Sequence, residues 1–187
     1  MTDAVPSLEH IVVRDDGYEA MLASQSPRDP DVPIDENDWY IIRHTGGTTG
    51  PSKGVGYTHR SWINAGRDWV YLLPALDPGD AYMHFGPISH ASGYLFLPTW
   101  MVGAANIVVP KFDPATVLDS LVERRVSMTF LAPTMLNMVV QRDDSRGRDF
   151  PDLKCVMTGA SPITDDTARG AREVFGDCLW QLYGQTE

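Results

Sequence analysis

Thr45-Gly46-Gly47-Thr48-Thr49-Gly50-Pro51-Ser52-Lys53-Gly54 is the stretch from which the rest of this chain is interpreted. Its glycines let the backbone turn tightly and bring N–H groups close to a ligand. Its threonines add hydroxyl donors, and Lys53 adds a mobile cation that suits a phosphate. The aromatic and β-branched run at residues 39–42 predicts a strand that delivers this loop to the edge of a sheet, where α/β proteins bind nucleotides. We therefore predict an anion-binding loop in an α/β protein.

Spacing separates this loop from two common phosphate-binding signatures. A Walker loop has Ser or Thr directly after Gly-Lys, whereas Lys53 lies between Ser52 and Gly54. A dinucleotide fingerprint needs a third glycine that residues 54–59 do not supply. Residues 39–67 contain none of the 25 acidic residues of the chain, so the loop lies in an electropositive segment of an acidic protein. A glycine- and threonine-rich surface turn beside a chance gap in the acidic residues stays open as the alternative.

The composition narrows the class of protein. At 187 residues and 43% hydrophobic, the chain is long enough for about one domain with a sizeable core. A net charge of −10 predicts no nucleic-acid partner, because nucleic acids are held mainly by Lys and Arg. Cys155 and Cys178 fall in predicted strands, which favours free thiols and a reducing, cytoplasmic location. The first residues lack the blocks of a signal peptide, and prolines and glycines interrupt the apolar residues 81–110, so we expect no transmembrane segment.

Strand-like and helix-like segments alternate along the chain, which predicts an α/β fold with a largely parallel sheet flanked by helices. Thr58, Asp113 and Thr164 are predicted to cap helices. The predicted strands are residues 10–14, 39–42, 81–85, 106–109, 126–131, 153–158 and 178–182. The predicted helices are residues 18–24, 58–73, 92–102, 113–125, 134–141 and 164–175.

Two short motifs follow predicted strands, at the place where a parallel sheet presents ligands. Gly159-Ala160-Ser161-Pro162 is a turn of small residues that leaves room for a flat ring. In Tyr183-Gly184-Gln185-Thr186-Glu187, the tyrosine can stack on that ring, Thr186 can donate to a phosphate, and Glu187 can hold Mg²⁺. Each motif alone is equally compatible with an ordinary strand end.

Taken together, these motifs resemble those of the adenylate-forming, or AMP-binding, enzymes, the superfamily of acyl-CoA synthetases, peptide-synthetase adenylation domains and firefly luciferase. The loop is similar to the family's phosphate loop, with Gly46 where Ser is common and Ser52 where Pro is common. Residues 183–187 are similar to its Tyr-Gly-x-Thr-Glu motif. Phe85-Gly86-Pro87-Ile88-Ser89-His90-Ala91-Ser92-Gly93 resembles the motif that carries a histidine near the acyl site. The resemblance implies that residues 1–187 are part of the large N-terminal domain of an acyl-CoA synthetase-like fold, without the C-terminal domain.

The resemblance also implies an activity and a set of site residues. The parent enzyme would join a carboxylic acid to the α-phosphate of ATP and then pass the acyl group to CoA or to a carrier-protein thiol. His90, Thr186 and Glu187 would be catalytic, with Glu187 also the Mg²⁺ ligand; a purely structural role for His90 stays open. The residues that would bind ATP are Thr45, Gly46, Gly47, Thr48, Thr49, Gly50, Lys53, Gly159, Ala160, Ser161, Tyr183 and Gly184.

The apolar stretch around His90 bears on the substrate. Peptide-synthetase domains carry an Asp at the place of Gly86 to pair with the ammonium of an amino acid, and residues 81–110 offer no carboxylate. This favours a fatty or aryl acid, as in fatty acid metabolism. An adenylation domain that loads a carrier protein and a non-catalytic nucleotide-binding module stay open as alternatives. We expect the 187-residue chain alone to be inactive, because the family's catalytic lysine lies beyond the motifs present here.

Overall fold

The computed structural model describes residues 7–45 and 51–185, and the chain divides into two units, Met1–Ile34 and Asp35–Glu187. In the described part of the first unit, helix α1 (Tyr18–Ala23) forms as predicted. The predicted strand at residues 10–14 is wrong, since this segment has no regular secondary structure. Its β-branched side chains are exposed, and the described part of this unit offers no second strand to pair with it. Strand propensity without a pairing partner does not form a strand.

The second unit begins with a β-hairpin built around the glycine-rich loop. Strand β1 (Trp39–His44) pairs antiparallel with strand β2 (Gly54–Thr58), and His44 lies opposite Gly54. The predicted strand therefore leads into the loop, but the sheet it belongs to is a separate two-stranded one that the loop itself joins. Strand β2 was missed because two of its five residues are glycines, which are weak strand formers. A Cβ on Gly56 would lie 2.5 Å from the Trp39 ring, so a larger residue there would require that exposed ring to shift.

The main sheet has five parallel strands in the order β4-β3-β5-β6-β7. This confirms the predicted fold class. The strands are β3 (Ala81–His84), β4 (Ala105–Val108), β5 (Met128–Phe130), β6 (Cys155–Thr158) and β7 (Leu179–Gln181). The helices of this unit are α2 (His59–Leu72), α3 (Phe96–Met101), α4 (Pro114–Glu123), α5 (Pro133–Val140) and α6 (Asp165–Phe175).

The three predicted helix caps are confirmed. The side chains of Thr58, Asp113 and Thr164 accept hydrogen bonds from the backbone N–H groups of Ser61, Thr116 and Thr167. The predicted helix at 92–102 is instead divided into a 3-10 turn (Ala91–Leu95) and α3. Pro98 explains the division, because proline fits in the first turn of an α-helix but not in its interior.

Hydrophobic clusters cover both faces of the sheet. On one face, Met83 and Val156 pack with residues of α4, α5 and α6. On the other, Tyr82 and Met157 pack with residues of α2 and with Leu95. Consecutive residues of one strand point to opposite faces, so β3 and β6 contribute to both clusters. The motifs at His90, Gly159 and Tyr183 follow strands of this sheet, whereas the glycine-rich loop lies in the separate hairpin.

Candidate functional site

The two ends of the glycine-rich loop are joined by hydrogen bonds. The Thr45 N–H donates to the Lys53 carbonyl at 2.9 Å, and the Lys53 N–H donates to the Thr45 hydroxyl oxygen at 3.2 Å. The Ser52 hydroxyl donates to the Thr45 carbonyl at 2.6 Å. Ser52 stands where the family loop commonly has proline, and this hydrogen bond restricts the loop backbone in its own way. Lys53 is exposed, and its ammonium is available to an anion. The predictions for Gly46, Gly47, Thr48, Thr49 and Gly50 fall outside the described residues.

The small-residue turn after β6 lies directly against the chain that leaves β7. The Leu182 N–H donates to the Thr158 carbonyl at 2.8 Å, and a Cβ on Gly159 would lie 2.7 Å from the carbonyl oxygen of Leu182. Only glycine fits this approach without a backbone shift. Ala160 adopts a φ of 73°, a left-handed conformation that alanine rarely takes. Ser161 follows on the surface.

Tyr183 follows β7 and is 93% exposed. Because β6 and β7 are neighbouring parallel strands, the Tyr183 segment and the Gly159 turn emerge side by side from one edge of the sheet. Gly184 has no atom within 4 Å of the position that a Cβ would take. An exposed aromatic ring next to an uncrowded backbone is suited to stacking on a planar ligand. Thr186 and Glu187 fall outside the described residues.

His90 lies in a compact turn after β3. Its N–H donates to the Pro87 carbonyl at 3.1 Å, and its carbonyl accepts from the Gly93 N–H at 2.9 Å. The side chain is exposed. Since β3, β6 and β7 are parallel, the turn after each of them opens on the same edge of the sheet. With a spacing of about 4.8 Å between strands, the β3 and β6 ends are about 10 Å apart.

His84, at the end of β3, supports this turn from inside the protein. Its Nε2 lies 2.8 Å from Asn106 Oδ1, and its Nδ1 lies 3.1 Å from the Ser92 hydroxyl oxygen. The Asn106 amide donates to the Phe96 carbonyl, which directs Asn106 Oδ1 to accept from Nε2–H. With its proton on Nε2, a neutral imidazole donates to Asn106 and accepts from the Ser92 hydroxyl, and Nδ1 also lies 3.1 Å from the Ser92 carbonyl oxygen. Burial lowers the pKa of His84 below the ordinary histidine value. His84 thereby connects β3, β4 and the Ala91–Leu95 turn.

An open cleft of about 560 Å³ adjoins both the hairpin and the His90 turn. Strand β1, helix α2 and residues 88–100 form its walls, which are mainly aromatic and aliphatic. Arg43, two residues before Thr45, and Ser89, one residue before His90, both line it. The segments leading to the phosphate loop and to the histidine motif therefore share one cleft. Sequence reasoning did not predict this cleft.

Arg43 of this cleft lies against a pair of aromatic rings that also contact each other. Its guanidinium carbon lies 4.5 Å from the Tyr94 ring centroid and 5.0 Å from that of Trp62. Its Nε and Nη1 are buried and have no hydrogen-bond partner in the part of the chain that the structure describes. Sequence reasoning recognised Arg43 only as part of an electropositive segment. Alternation along β1, which makes residues 41 and 43 half-buried, is the signal that sets Arg43 apart from its exposed neighbours.

The described residues contain neither a grouped metal-ligand set nor a helix that could span a membrane. Within residues 7–45 and 51–185, no three His, Cys, Asp or Glu side chains are grouped as a metal site would require. The proposed Mg²⁺ ligand, Glu187, falls outside that range. Among the described helices, none is long and apolar enough to cross a bilayer.

A family model and the similar proteins of known sequence all indicate the same enzyme family. The model of the AMP-binding enzyme family matches residues 2–187. A medium/long-chain-fatty-acid–CoA ligase, FadD8 of Mycobacterium tuberculosis, is 35% identical over 185 residues, which are 97% of this chain and 31% of that protein. An indoleacetate–CoA ligase of Aromatoleum aromaticum is 31% identical over 91% of this chain and 34% of its own length.

Solved structures agree with these relatives. The N-terminal domain of FACL13 from Mycobacterium tuberculosis superimposes with a TM-score of 0.79 and 27% identity, over 92% of this chain and 43% of that one. ATP-bound MatB from Rhodopseudomonas palustris gives a TM-score of 0.79 and 26% identity, over 91% of this chain and 34% of that one. The chain spans about a third of the length of these curated relatives. It belongs to the AMP-binding enzyme family, whose members named here include acyl-CoA ligases.

Proposed function

We propose that this chain supplies the ATP- and acid-binding part of an ATP-dependent acyl-CoA ligase. The observation that carries the proposal is the juxtaposition of Tyr183 with the Gly159 turn, which leaves an aromatic ring exposed beside a backbone approach that only glycine permits. This arrangement suits adenine, with Tyr183 stacked on the base. Ala160, Ser161 and Gly184 would border the same ring.

The hairpin loop would hold the β- and γ-phosphates. Lys53 offers an exposed ammonium, and Thr45 keeps its hydroxyl hydrogen free because its oxygen accepts from the Lys53 N–H. Gly46, Gly47, Thr48, Thr49 and Gly50 would add backbone and hydroxyl donors between these fixed ends. Thr186 would contact the α-phosphate, and Glu187 would hold a Mg²⁺ that neutralises phosphate charge.

The reaction that this site would support has two steps. A carboxylate oxygen attacks the α-phosphorus of ATP, the bond to the β-phosphate breaks, and pyrophosphate leaves with the bonding electrons. A thiolate then attacks the acyl carbon, and AMP leaves. The task of the protein residues is to orient the reactants in line and to stabilise negative charge on the phosphates. His90 would border the entry of the acid.

The acid would be a fatty or aryl acid, and the thiol would be that of CoA. The apolar walls of the cleft fit a hydrocarbon or aromatic tail, and relatives include ligases named for fatty acids and for indoleacetate. Arg43 in the same cleft disfavours an amino acid, whose ammonium would meet a like charge. A cytoplasmic location, where ATP and CoA are both available, belongs to the same proposal.

Nucleotide binding tests the phosphate loop directly. We expect Lys53→Ala to weaken ATP binding by about 10- to 100-fold, the effect of losing one charge-assisted contact. AMP binding should hardly change, because AMP lacks the β- and γ-phosphates. Lys111→Ala, which removes another exposed lysine, is the matched control. Calorimetric titrations in which the two variants lose ATP affinity equally would contradict the assigned role of Lys53.

Turnover is assayed with the complete gene product, since the relatives are about three times as long as this chain. Pyrophosphate release is measured with ATP, Mg²⁺ and a panel of fatty and aryl acids, and thioester formation is measured with and without CoA. Pyrophosphate release with at least one acid is expected. Its absence with every acid, despite ATP binding, would favour a non-catalytic nucleotide-binding module.

A further inference from the structure

Within residues 7–45 and 51–185, the guanidinium of Arg43 forms no ion pair. It lies against the neighbouring rings of Trp62 and Tyr94, whose centroids are 5.6 Å apart, and these contacts are of the cation–π kind. The N–H donors point outward in the plane of the group, and stacking does not satisfy them. Two of the three nitrogens, Nε and Nη1, are buried without an acceptor among the described residues. A buried donor without an acceptor is unfavourable, and a hydrogen-bond acceptor such as a carboxylate would relieve that cost.

No acidic residue of the cleft walls can supply that anion. The residues that line the cleft all come from segments 40–63 and 88–100. Both segments lie within stretches of the sequence, 39–67 and 81–110, that contain no Asp or Glu. Arg60, by contrast, forms an ion pair with Glu36. Arg43 is thus a cation in a wall of aromatic and aliphatic side chains.

We infer that Arg43 binds the carboxylate of the acid substrate, with the hydrocarbon or aromatic tail lying along the apolar wall of the cleft. The inference rests on the proposed function and adds a specific residue to it. A guanidinium matches a carboxylate in shape and hydrogen-bonding geometry, and it does so best where water is partly excluded. Trp62, Phe96 and Trp100 provide the surface for the tail.

The position of Arg43 relative to the motifs agrees with this role. Arg43 lies in β1 and Thr45 directly follows the strand, about 7 Å further along an extended chain. Ser89 lines the same cleft and immediately precedes His90. A carboxylate held at Arg43 would therefore lie between the end of the phosphate loop and the histidine motif, where an acid must approach ATP.

Acid binding is measured on the 187-residue chain in the absence of nucleotide, with 4-phenylbutyrate as the probe and 4-phenylbutyramide as its uncharged counterpart. Ligand-observed NMR and calorimetry give the two affinities. We expect the acid to bind at least about tenfold more tightly than the amide. Equal affinities would overturn the inference. This comparison uses only the unmodified protein, so it does not depend on the folding of any variant.

Variants assign the effect to a residue. Arg43→Met should weaken binding of 4-phenylbutyrate at least about tenfold and leave binding of the amide nearly unchanged. Arg67→Met, which removes an exposed arginine outside the cleft, should change neither. Acid binding by Arg43→Met at the level of the unmodified chain would overturn the inference.

ATP titrations of the same proteins separate this inference from the proposed function. Arg43→Met should retain ATP affinity, whereas Lys53→Ala should lose it and retain acid binding. If Arg43→Met loses ATP affinity and keeps acid affinity, the guanidinium serves a phosphate and the inference is wrong. If the unmodified chain binds ATP but shows no preference for the acid over the amide, the inference fails while the nucleotide site stands. In the complete gene product, Arg43→Met should raise KM for the acid and leave KM for ATP unchanged.

Discussion

Gly93 lies so close to Ile88 that a Cβ on Gly93 would be 1.6 Å from the Ile88 carbonyl oxygen. Both residues line the cleft, and His90 lies between them in the same turn. We predict that Gly93→Ala cannot be accommodated without moving the backbone of this turn. The expected loss of unfolding free energy is about 3 kcal/mol, at the upper end for overpacking a tight site. Urea denaturation followed by circular dichroism measures it.

Gly86→Ala is the matched control for that substitution. A Cβ on Gly86 would meet Ser92 Cβ at 3.5 Å, which is ordinary van der Waals contact. The control should therefore lose less than about 1 kcal/mol. Similar losses for the two variants would show that glycine at position 93 is not required by its approach to Ile88.

Asp80 connects the starts of three neighbouring strands and should contribute strongly to stability. It accepts hydrogen bonds from the Lys154 ammonium at 2.6 Å and from the Ser127 hydroxyl at 2.7 Å. Burial raises the pKa of Asp80, but these bonds and one from the Asp77 backbone outweigh burial and hold the pKa below the ordinary value. We predict that Asp80→Asn lowers the free energy of unfolding by about 2 kcal/mol at pH 7.

Thermal and urea unfolding of Asp80→Asn would be compared with those of Asp166→Asn. Asp166 forms an exposed ion pair with Arg169, so its substitution should change stability by less than about 1 kcal/mol. Asp80→Asn being as mild as Asp166→Asn would contradict the assigned role of Asp80.

His84 should make stability depend on pH in a defined direction. Because burial lowers its pKa in the folded protein, the unfolded chain binds a proton more readily than the folded chain. The contribution of His84 is fully present above the unfolded value of 6.5 and is lost as pH falls from there towards the folded pKa. We expect the free energy of unfolding to decrease between pH 7.5 and pH 5.5, and His84→Gln to reduce that decrease. Identical pH dependence in the two proteins would argue against His84 as the source.

Cys155 should react with thiol reagents only when the protein unfolds. It is fully buried in the sheet, and burial raises its pKa to about 12. In Cys178→Ala, which leaves Cys155 as the remaining thiol, we expect maleimide labelling to be at least about a hundredfold slower in buffer than in concentrated urea. Mass spectrometry follows the labelling. Rapid labelling in buffer would mean that β6 opens locally without global unfolding.

The sequence predicted those features that depend on neighbouring residues. The caps at Thr58, Asp113 and Thr164 and the strand ends that carry Gly159 and Tyr183 all depend on short-range patterns. Features that depend on distant partners were missed. Strand β2 exists because β1 pairs with it, although its glycines disfavour an extended conformation.

The Arg43 site illustrates the same limit at the level of function. Its two aromatic partners lie 19 and 51 residues further along the chain, so no local pattern indicates the stack. Thr45 and Lys53 could be paired from sequence as one loop, but the hydrogen bonds between them follow from the hairpin. The residue types of the candidate site could be predicted from the sequence. The cleft beside them could not, because its walls come from segments that only the folded structure brings together.

The strand order also bears on synthesis of the protein. Strand β3 occupies an interior place in the sheet, between β4 and β5, and the Thr129 hydroxyl bonds to the Met83 carbonyl across 46 residues of sequence. At about 5–20 residues per second, a ribosome needs several seconds to make those residues. During that time, the edge of β3 that pairs with β5 in the folded protein has no partner. A nascent chain of this protein is therefore expected to need chaperone protection until residue 130 has emerged, and slower translation of residues 85–130 should increase aggregation.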